Sequence, residues 1–333
     1  MHAFDLLRPK TVKDALLAVK GESPPAVKAG GIDLLDRMKE GIDRPARVLD
    51  ILPLAELRKI EVTGAVLRIG ALATLAEIAA SPDVRKHAPA LAQAAGEAAT
   101  PQIRSVATLG GNLFQRNRCW YYRNAEHEPC FQRGGKECFA KTGRNKIHAI
   151  FGTDAECVAV NASNLAPALV ALGAAWHFKH ADTEGHAGFE GSGVALDNGR
   201  GEFVDRLILP GSLLTAVGLP VVPDRVSAYL EFGERESFDW ALVSCAVAFS
   251  LKAGVVQPGA RIVLGAVAWS PISSFDAAKH LEGKKLTPAL AREAAARALA
   301  GATPLPENGF KVQVGKAIVA RAILAAAGME DKR

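Results

Sequence analysis

The stretches AGGIDLL (29–35) and IRSVATLGGNL (103–113) decide the fold, because each brings a Gly-Gly pair to the end of a short apolar segment. Glycine tolerates positive φ and has no Cβ, so backbone N–H groups at such a turn can converge on an anion. Neither stretch matches the GxGxxG pattern or the P-loop pattern, which argues against a Rossmann or P-loop site. Either pair alone is more typical of a plain strand end than of a nucleotide site.

The sequence around the two pairs predicts alternating helices and strands. Helical spacing begins behind Thr11, and a strand, the first glycine turn and a second helix follow. ARVLDIL and AVLRIGAL are typical of strands, and TLAEIAASPDVRKHAPALAQAAGEAA is typical of two helices separated around Pro82. Stretch 103–113 is interpreted as a strand that ends in the second glycine turn. ECVAVNASNLAPALVALGA predicts a strand and then a helix capped by Ser163 or Asn164.

The last third of the chain predicts a further α+β unit. WALVSCAVAFSL and ARIVLGAVAW suggest paired strands, and PALAREAAARALAG and VGKAIVARAILAAAG suggest two packed helices. A glycine-rich passage (185–201) and the prolines at 220 and 223 precede this unit. A chain of 333 residues also exceeds one typical domain, so the fold class is α+β with several units. The expected units are residues 1–60, residues 61–220 with an irregular insert at 115–157, and residues 221–333.

Charge and hydropathy argue against two classes of function. The chain has 40 Lys and Arg against 35 Asp and Glu, and a net charge of +5 is modest for this length, so nucleic acid is not the expected partner. The apolar run from Leu165 to Trp176 is shorter than the roughly 20 residues that a membrane span needs. Asp5 stands where a signal peptide has its apolar core, so we expect a soluble chain without an export signal.

The cysteines are unevenly placed, since four of the five lie between positions 119 and 157. A disulfide framework is unusual in a large chain without a secretion signal. The four cysteines form no CxxC pair, which zinc sites commonly use, whereas a [4Fe–4S] cluster takes thiolates from several directions. Nearby Arg and Lys would offset the negative charge, and aromatic side chains would exclude water. The spacing favours a cluster and leaves zinc or unligated thiols as alternatives.

The paired glycine stretches resemble the two FAD signatures of the molybdenum hydroxylase flavoprotein subunits. ASNLAPALVALGA (162–174) is similar to the family's SDLAPAL segment, and YLEFGERESFDWALVSCAVAF (229–249) is similar to the opening of its C-terminal domain. The resemblance extends over nearly the whole chain. It implies two α+β subdomains that bind FAD between them, of the PCMH or vanillyl-alcohol-oxidase-like type, followed by a smaller α+β domain typical of CO dehydrogenase flavoproteins.

The resemblance assigns FAD contacts by position, and three of them depart from the family pattern. Ile32 stands where the family usually has Thr, Asn164 where it has Asp, and Glu231 where it often has Lys. Because backbone N–H donors remain, we still expect FAD to bind, with altered hydrogen bonding and potential at the ring. The implied cofactor residues are Lys28, Ala29, Gly30, Gly31, Ile32, Asp33 and Leu34 in a first phosphate loop, Thr108, Gly111 and Asn112 in a second, and Asn164, Leu214 and Glu231 further along the chain.

One branch of this family has an insert with a [4Fe–4S] cluster at the same place in the chain. RNRCWYYRNAEHEPCFQRGGKEC (116–138) is similar to the aldehyde oxidoreductase version of that insert. His127 and His148 are interpreted as structural, and Cys245 as a buried packing residue. The resemblance implies four metal ligands, Cys119, Cys130, Cys138 and Cys157.

The function implied by the resemblance is that of an electron-transfer subunit without catalytic residues of its own. A large molybdopterin-binding subunit would oxidise the substrate, a small [2Fe–2S] subunit would relay electrons, and FAD in this chain would pass them to an external electron acceptor. Rival hypotheses are a self-sufficient FAD-dependent oxidoreductase, a subunit of a hydroxybenzoyl-CoA reductase-like enzyme, and a zinc-stabilised binding module. We expect the chain in the cytoplasm, or in the periplasm through export together with a signal-bearing partner.

Overall fold

The computed structural model describes residues 1–180, 183–189 and 211–330, with residues 183–189 described only as backbone. Within this part of the chain the strands form three sheets, one of three strands and two of five. The glycine-rich passage predicted at 185–201 lies mostly outside the described residues. Among the described helices, none is both long and apolar enough to cross a bilayer.

The first sheet is parallel and has the strand order β1-β3-β2. Its strands alternate with two helices in the order β1 (Asp5–Leu7), α1 (Val12–Val19), β2 (Ala26–Lys28), α2 (Ile32–Lys39) and β3 (Arg47–Asp50). Thr11 begins α1 through a capping box with Asp14, which satisfies two backbone donors at the helix start. The helix predicted behind Thr11 is therefore confirmed, as are the strand, glycine turn and helix that follow it.

The second sheet is antiparallel and has the strand order β4-β5-β8-β6-β7. Its strands are β4 (Ile60–Thr63), β5 (Val66–Gly70), β6 (Ala175–His180), β7 (Thr183–Phe189) and β8 (Ser212–Pro220). Leu67, Ile69 and Val217 of this sheet are fully buried in the main hydrophobic core. The strands predicted in ARVLDIL and AVLRIGAL correspond to β3 and β5 and are confirmed.

Three helices follow β5, where the sequence pattern predicted two. They are α3 (Leu75–Ala80), α4 (Pro82–His87) and α5 (Pro89–Glu97). Ser81 ends α3, and its hydroxyl accepts a hydrogen bond from the N–H of Val84 at the start of α4. Pro82 and Pro89 occupy first helical positions, where a missing N–H costs nothing because that donor has no partner within the helix. The prediction located the boundary at Pro82 and missed the one at Pro89.

The prediction that stretch 103–113 contains a strand is wrong. The chain forms two short helices there, α6 (Pro101–Arg104) and α7 (Leu109–Leu113). Thr108 caps α7, and its hydroxyl accepts from the N–H of Gly111 at 3.1 Å. The second glycine pair therefore lies in the first turns of a helix. An apolar run before Gly-Gly fits both a strand end and a capped helix start, so the pattern could not separate them.

The insert is largely irregular, as predicted, and contains α8 (Trp120–Arg123) and a 3-10 turn (Phe131–Arg133). Gly134 has φ of +86°, and a Cβ on Gly135 would lie only 1.7 Å from the carbonyl oxygen of Pro129. Only glycine allows the chain to fold back so closely at this point. The two glycines thereby bring the segment after Cys130 back towards it.

The strand predicted in ECVAV does not form in the described chain. The carbonyl of Val158 accepts from the N–H of Ala149 within the insert, rather than from a sheet neighbour. The helix predicted after it is confirmed as α9 (Leu165–Leu172). Of the two candidate caps, Ser163 accepts from the N–H of Ala166 at 3.0 Å, whereas the side chain of Asn164 makes no cap hydrogen bond.

The third sheet belongs to the C-terminal part of the chain, where β10 lies between β9 and β12. The elements there are β9 (Arg225–Phe232), β10 (Val243–Lys252), β11 (Val255–Val256), β12 (Arg261–Gly265), β13 (Ile272–Ser273), α10 (Phe275–Leu281), α11 (Pro288–Ala298) and α12 (Phe310–Ala326). The predicted strand pair, β10 with β12, and the predicted helix pair, α11 with α12, are both confirmed. Helix α12 also packs on β9 and β10 and closes a second hydrophobic core.

Candidate cofactor site

The first glycine turn joins β2 to α2. Gly31 has φ of +81°, and α2 begins directly after it. The first N–H groups of a helix have no partner within the helix and, together with the helix dipole, favour an anion. At the end of β2, the Lys28 ammonium pairs with the Asp50 carboxylate of β3 at 2.8 Å. The turn therefore combines free backbone donors with a fixed cation.

The two glycine stretches are in contact. A Cβ on Gly30 would lie 2.1 Å from the carbonyl oxygen of Val106 and 3.4 Å from the Cα of Ala107. Only a residue without a Cβ permits so close an approach of two backbones. The turn after β2 and the segment before α7 thus form one structure, although they are far apart in the sequence.

The second glycine pair is anchored to the start of α9. The fully buried Thr108 hydroxyl binds the N–H of Gly111, as described above. The side-chain oxygen of Asn112 accepts from the Ser163 hydroxyl at 2.6 Å, and the Gln115 amide donates to the Asn112 carbonyl at 2.8 Å. These bonds fix α7 relative to the segment that precedes α9.

A cavity of about 360 Å³ lies between the two glycine stretches. A second cavity of about 350 Å³ adjoins it, and Arg118, Asn164, Asp239 and Trp240 line both. Each volume is in the range of small-molecule and cofactor sites. The second cavity extends to Cys119 of the insert. The predicted cofactor residues on the wall of the first cavity are Lys28, Ala29, Gly30, Gly31, Ile32, Asp33, Leu34, Thr108, Gly111, Asn112 and Asn164.

Of the residues that the structure describes, two predicted cofactor residues line neither large cavity. Leu214 on β8 is 6% exposed and packs in the main hydrophobic core. Glu231 lies behind Asn164, to which it is hydrogen-bonded. The structure therefore brings together eleven of the thirteen predicted positions at one cavity and leaves Leu214 apart from them.

Asp33 connects the first glycine turn to the insert. Its carboxylate pairs with Arg37 at 3.0 Å, Arg118 at 3.1 Å and Arg123 at 2.6 Å, and also accepts from the backbone N–H of Arg116. Burial by itself raises the pKa of Asp33, but the guanidinium groups of Arg123 and Arg118 outweigh it and hold the pKa below its ordinary value. Asp33 is therefore ionised and binds two arginines from beside the cysteines.

Arg118 lies at the junction of the two cavities. Its guanidinium carbon is 4.2 Å from the centre of the Trp240 ring, in cation–π geometry. Burial and the neighbouring Arg123 lower the Arg118 pKa to about 10, so the group stays charged near neutral pH. Its Nε is buried and has no hydrogen-bond partner among the described residues. A buried donor without a partner on a cavity wall is suited to an acceptor on a ligand.

Asn164, Tyr229 and Glu231 form a buried hydrogen-bonded group beside the cavities. The Tyr229 hydroxyl donates to the Glu231 carboxylate at 2.5 Å, and the Asn164 amide donates to the same oxygen at 2.6 Å. Burial raises the pKa of Glu231, the two hydrogen bonds oppose that rise, and the like charges of Glu97 and Asp239 add to it. The pKa of Glu231 is raised overall, which favours its protonated form more than in an exposed carboxyl.

The four clustered cysteines line one small cavity of about 10 Å³ in the insert. Cys119, Cys130 and Cys157 are buried, and Cys138 is half-buried. The aromatic rings of Tyr121, Tyr122, Phe131 and Phe139 complete the wall of the cavity. Cys245 is instead fully buried in β10, in agreement with its interpretation as a packing residue.

The thiols differ in acidity because their surroundings differ. A hydrogen bond from Cys157 lowers the pKa of Cys138 to about 6, while the same contact and burial raise the pKa of Cys157. Burial raises the pKa of Cys119 to about 11. Without a positive charge at the centre of the cavity, Cys119 and Cys157 therefore hold their protons near neutral pH. Metal binding would have to displace those protons.

His148, whose ring was interpreted as structural, contacts one of the insert cysteines, Cys119. Its Nε2 lies 3.2 Å from the Sγ of Cys119, and the residue is only 1% exposed. Burial and the nearby Lys311 ammonium lower the pKa of His148 to about 4, so the ring is neutral. His127 instead packs edge-on against Tyr121 and Phe139, in agreement with a structural role.

The residues present fit both expected groups by chemistry. For FAD, the fit comes from the two glycine stretches in contact, the backbone donors at the start of α2 and the Arg118 Nε, which has no partner among the described residues. All of them lie at two adjoining cavities. For an iron–sulfur cluster, the fit comes from four thiols on one cavity with aromatic rings around them. In residues 1–180 and 211–330, no group of three or more His, Cys, Asp or Glu side chains is arranged to hold a single metal ion.

Several site residues could not be found from sequence. Nothing local distinguishes Arg118 and Arg123 from the other arginines of the insert, and their role depends on contact with Asp33. Tyr229 occupies an ordinary strand position in β9. Trp240 lies next to Arg118 only in the folded chain, so its place on the cavity wall was not visible from the sequence either.

Two family models together match almost the whole chain. The one described as the FAD binding domain in molybdopterin dehydrogenase matches residues 2–221. The one described as the CO dehydrogenase flavoprotein C-terminal domain matches residues 228–326. The predicted fold class, an α+β FAD-binding fold followed by a C-terminal α+β domain, is thereby confirmed.

Whole-length relatives and structures agree with these matches. The FAD-binding subunit of an aldehyde oxidoreductase from Escherichia coli (strain K12) is 34% identical over 330 residues, covering 96% of this chain and 97% of that protein. Chains of quinoline 2-oxidoreductase from Pseudomonas putida 86 and of carbon monoxide dehydrogenase from Hydrogenophaga pseudoflava have the same fold, each with a TM-score of 0.75. The first is 22% identical and covers 98% of both chains. The second is 23% identical and covers 98% of this chain and 97% of that one. This chain is therefore an oxidoreductase subunit that belongs to the FAD-binding subunits of the molybdenum hydroxylase family.

Proposed function

We propose that this chain binds FAD and a [4Fe–4S] cluster and transfers electrons within a three-subunit molybdenum hydroxylase. A large molybdopterin-binding subunit would oxidise the substrate, a small [2Fe–2S] subunit would relay electrons, and this chain would pass them to an external acceptor. One observation carries the proposal: the cavity between the glycine stretches continues into a second cavity whose wall includes Cys119. Both proposed cofactors would then lie along one path.

The glycine stretches would bind the FAD pyrophosphate. The free N–H groups at the start of α2 and the Thr108–Gly111 turn of α7 face the same cavity, and Lys28 lies on its wall. Arg118, with its unpaired Nε, adds a charged donor that the family resemblance did not assign. Ile32 replaces a hydroxyl with an apolar side chain that is 40% exposed, and backbone donors there would replace the lost bond.

Asn164, Tyr229 and Glu231 would adjust the surroundings of the flavin ring. Bound FAD supplies the electron chemistry, since it accepts electron pairs and releases electrons singly or in pairs. Asn164 lines both cavities and is held by Glu231, so the carboxyl orients an amide on the wall of the proposed flavin site. Glu231, in the place where the family often has Lys, would hold a proton near the ring rather than a positive charge. Leu214 is too far inside the core to be a direct contact in this proposal.

The four cysteines would hold the iron–sulfur cluster. A [4Fe–4S] cluster takes one thiolate at each iron, so its ligands surround a cluster rather than a single ion. The shared cavity and the enclosing aromatic rings support this assignment. A structural zinc ion at the same thiols is the competing hypothesis.

The substrate of the complete enzyme would be oxidised on the partner subunit. The full-length similarity to an aldehyde oxidoreductase subunit favours an aldehyde as that substrate. The insert between α7 and α9, with its RNRCWYYRNAEHEPCFQRGGKEC sequence, favours the cluster-containing branch over subunits without an insert. We also propose that the chain divides near residues 60 and 220, and that the complex works in the cytoplasm or is exported with a signal-bearing partner.

Flavin and metal analysis of the purified complex tests the proposal. We expect FAD and four irons per copy of this chain beyond those of the [2Fe–2S] subunit, and no zinc at the insert. Cys130→Ser should lose insert iron and keep FAD, because the glycine cavity lies elsewhere in the fold. Cys245→Ala is the matched control, since that cysteine lies in β10 and should change neither content. Zinc in place of iron, or unchanged iron in Cys130→Ser, would contradict the ligand assignment.

A further inference from the structure

His148 is held beside Cys119 by contacts that leave its ring little freedom. Its Nε2 is 3.2 Å from the Cys119 Sγ, a normal distance for a hydrogen bond to sulfur. The ring meets Trp120 edge-on, with 6.1 Å between ring centres, and lies 6.4 Å from Tyr121. No other described side chain competes for Nε2, and Nδ1 is buried without a partner. Among the described residues, the sulfur is therefore the only polar contact of the ring.

The backbone of His148 is fixed by the C-terminal domain. The carbonyl of His148 accepts from the Lys311 ammonium at 2.8 Å and from the Asn308 amide at 3.1 Å. Asn308 also donates to the carbonyl of Ala149 at 2.9 Å, and Lys311 to that of Ala266 at 3.0 Å. Asn308 and Lys311 are both fully buried, so these bonds are shielded from water. The start of α12 therefore sets the position of the ring relative to the insert.

The chemistry of the contact fixes which atom donates. A cysteine that ligates iron is a thiolate and can only accept a hydrogen bond. A neutral imidazole carries one N–H, and the sulfur requires it at Nε2, which leaves Nδ1 as the unprotonated nitrogen. Because Nδ1 has no hydrogen-bond partner in the part of the chain that the structure describes, no second bond there opposes this tautomer.

We propose that the Nε2–H of His148 donates a hydrogen bond to the Cys119 thiolate and raises the reduction potential of the cluster. The inference rests on the proposed cluster and names a positioning residue that acts through a ligand. A hydrogen bond to a ligand sulfur withdraws negative charge from the cluster, so the more negative reduced state gains most. Since Cys119 also lines the second cavity, the effect falls on the side of the cluster nearest the proposed flavin ring.

Replacement of the ring tests the donor. In the purified complex, His148→Phe keeps an aromatic ring of similar size and removes the N–H, and we expect a lower midpoint potential for the cluster in an EPR-monitored redox titration. His148→Gln retains an N–H donor and should return the potential towards the wild-type value. His127→Phe is the matched control, because that ring packs on Tyr121 and Phe139 and contacts no cysteine among the described residues. An unchanged potential in His148→Phe with full iron content would overturn the inference.

A measurement on the wild-type complex keeps the test independent of variant stability. With histidines labelled with ¹⁵N, pulsed EPR of the reduced cluster should show one coupled imidazole nitrogen and an exchangeable proton. The absence of both signals would overturn the role of His148 while leaving the cluster assignment intact. A wild-type complex with no insert iron would instead contradict the proposed function itself, so the two failures are distinguishable.

Discussion

Residues 28–34 lie between a regular strand and a regular helix, whereas residues 115–157 have little regular structure and are attached to several other segments by backbone bonds, side-chain bonds and ion pairs. The first glycine turn is bracketed by β2 and α2, and Gly30 lies against the backbone of Val106. The insert has one short helix and one 3-10 turn, and Cys119, Cys130 and Cys157 pack in the main hydrophobic core. Its fixed points in other segments are the side chains of Asp33, Asn308 and Lys311 and the backbone of Val267 and Thr303. We infer that the glycine site is formed before its ligand binds, while the insert gains much of its order from whatever its thiols bind.

The largest effect is expected where the two glycine stretches touch. Gly30→Ala would place a Cβ 2.1 Å from the Val106 carbonyl oxygen, so one backbone would have to move. We expect a loss of about 3 kcal/mol in the free energy of unfolding, the upper range for overpacking, together with loss of bound flavin. Urea unfolding and flavin content of the purified protein measure the two effects.

Gly96→Ala is the matched control for that substitution. A Cβ on Gly96 would meet nothing closer than the Ala79 side chain at 3.9 Å, in ordinary van der Waals contact. Alanine there should stabilise α5 by about 0.5 to 1 kcal/mol, because it restricts the unfolded chain. If Gly30→Ala had the same free energy of unfolding and flavin content as Gly96→Ala, the inference that the glycine site is preformed would be wrong.

Asp33 joins the two regions, and its loss should damage both. Asp33→Asn removes the charge that pairs with Arg118 and Arg123 in partly dry surroundings. We expect a loss of about 2 kcal/mol in the free energy of unfolding, since two half-buried cations lose their less exposed carboxylate partner and keep only Asp36. Flavin and iron content should both fall. Asp36→Asn is the control, because that carboxylate is half exposed and should cost little. A variant that loses only flavin would show that the regions are independent.

Removal of iron should affect the insert alone. After chelation of the oxidised complex, we expect trypsin to cut within residues 115–157 about tenfold faster, because local opening becomes easier by about 1.4 kcal/mol. Cleavage in α11 and α12, which pack in a separate core, should not change. Cut sites are identified by mass spectrometry of early digests. An insert equally resistant with and without iron would mean that protein contacts alone order it.

The smallest effect is expected at Glu231. Because burial raises the pKa of this carboxyl, its proton stabilises the fold fully below the ordinary carboxyl pKa, and this contribution is lost as pH rises through the raised value. Glu231→Gln keeps an acceptor oxygen and cannot ionise. As pH rises through that window, the free energy of unfolding of the variant should therefore fall by about 1 kcal/mol less than that of the wild type. Urea unfolding at pH values roughly one unit apart, from about pH 4 to about pH 8, measures the difference.

The exposed Glu236 provides the control for that pH series. Glu236→Gln should follow the wild-type curve, since an exposed carboxyl contributes little to stability at any pH. Parallel curves for wild type and Glu231→Gln would mean that Glu231 titrates like a surface group, and its proposed proton beside the flavin would then have no basis.

Local patterns predicted those parts of the fold that local chemistry determines. The helix that begins behind Thr11 and the strands β10 and β12 depend on a few adjacent residues, and all three were predicted. Stretch 103–113 was misassigned because a Thr-capped glycine helix and a strand end share one sequence pattern. The ECVAV strand failed for another reason: a strand needs a neighbour, and the Val158 carbonyl binds Ala149 instead.

The candidate site divides in the same way. The glycine stretches were found because their motif is contiguous, and they line the cavity as expected. The contact of His148 with Cys119 and the arginines on Asp33 join residues that are distant in sequence, so no local signal could reveal them. Leu214 was assigned as an FAD contact only from its position in the family pattern. Its packing in the core depends on the strands that pair with β8 in this chain, which the sequence does not show.

Anomalous diffraction from crystals of the intact complex tests the central claim most directly. Data collected on both sides of the iron edge should place a strong iron signal among the sulfurs of Cys119, Cys130, Cys138 and Cys157, with FAD density against Gly30, Gly31 and Gly111. A signal at the zinc edge among those sulfurs, or a complex in which the glycine stretches hold no nucleotide, would contradict it.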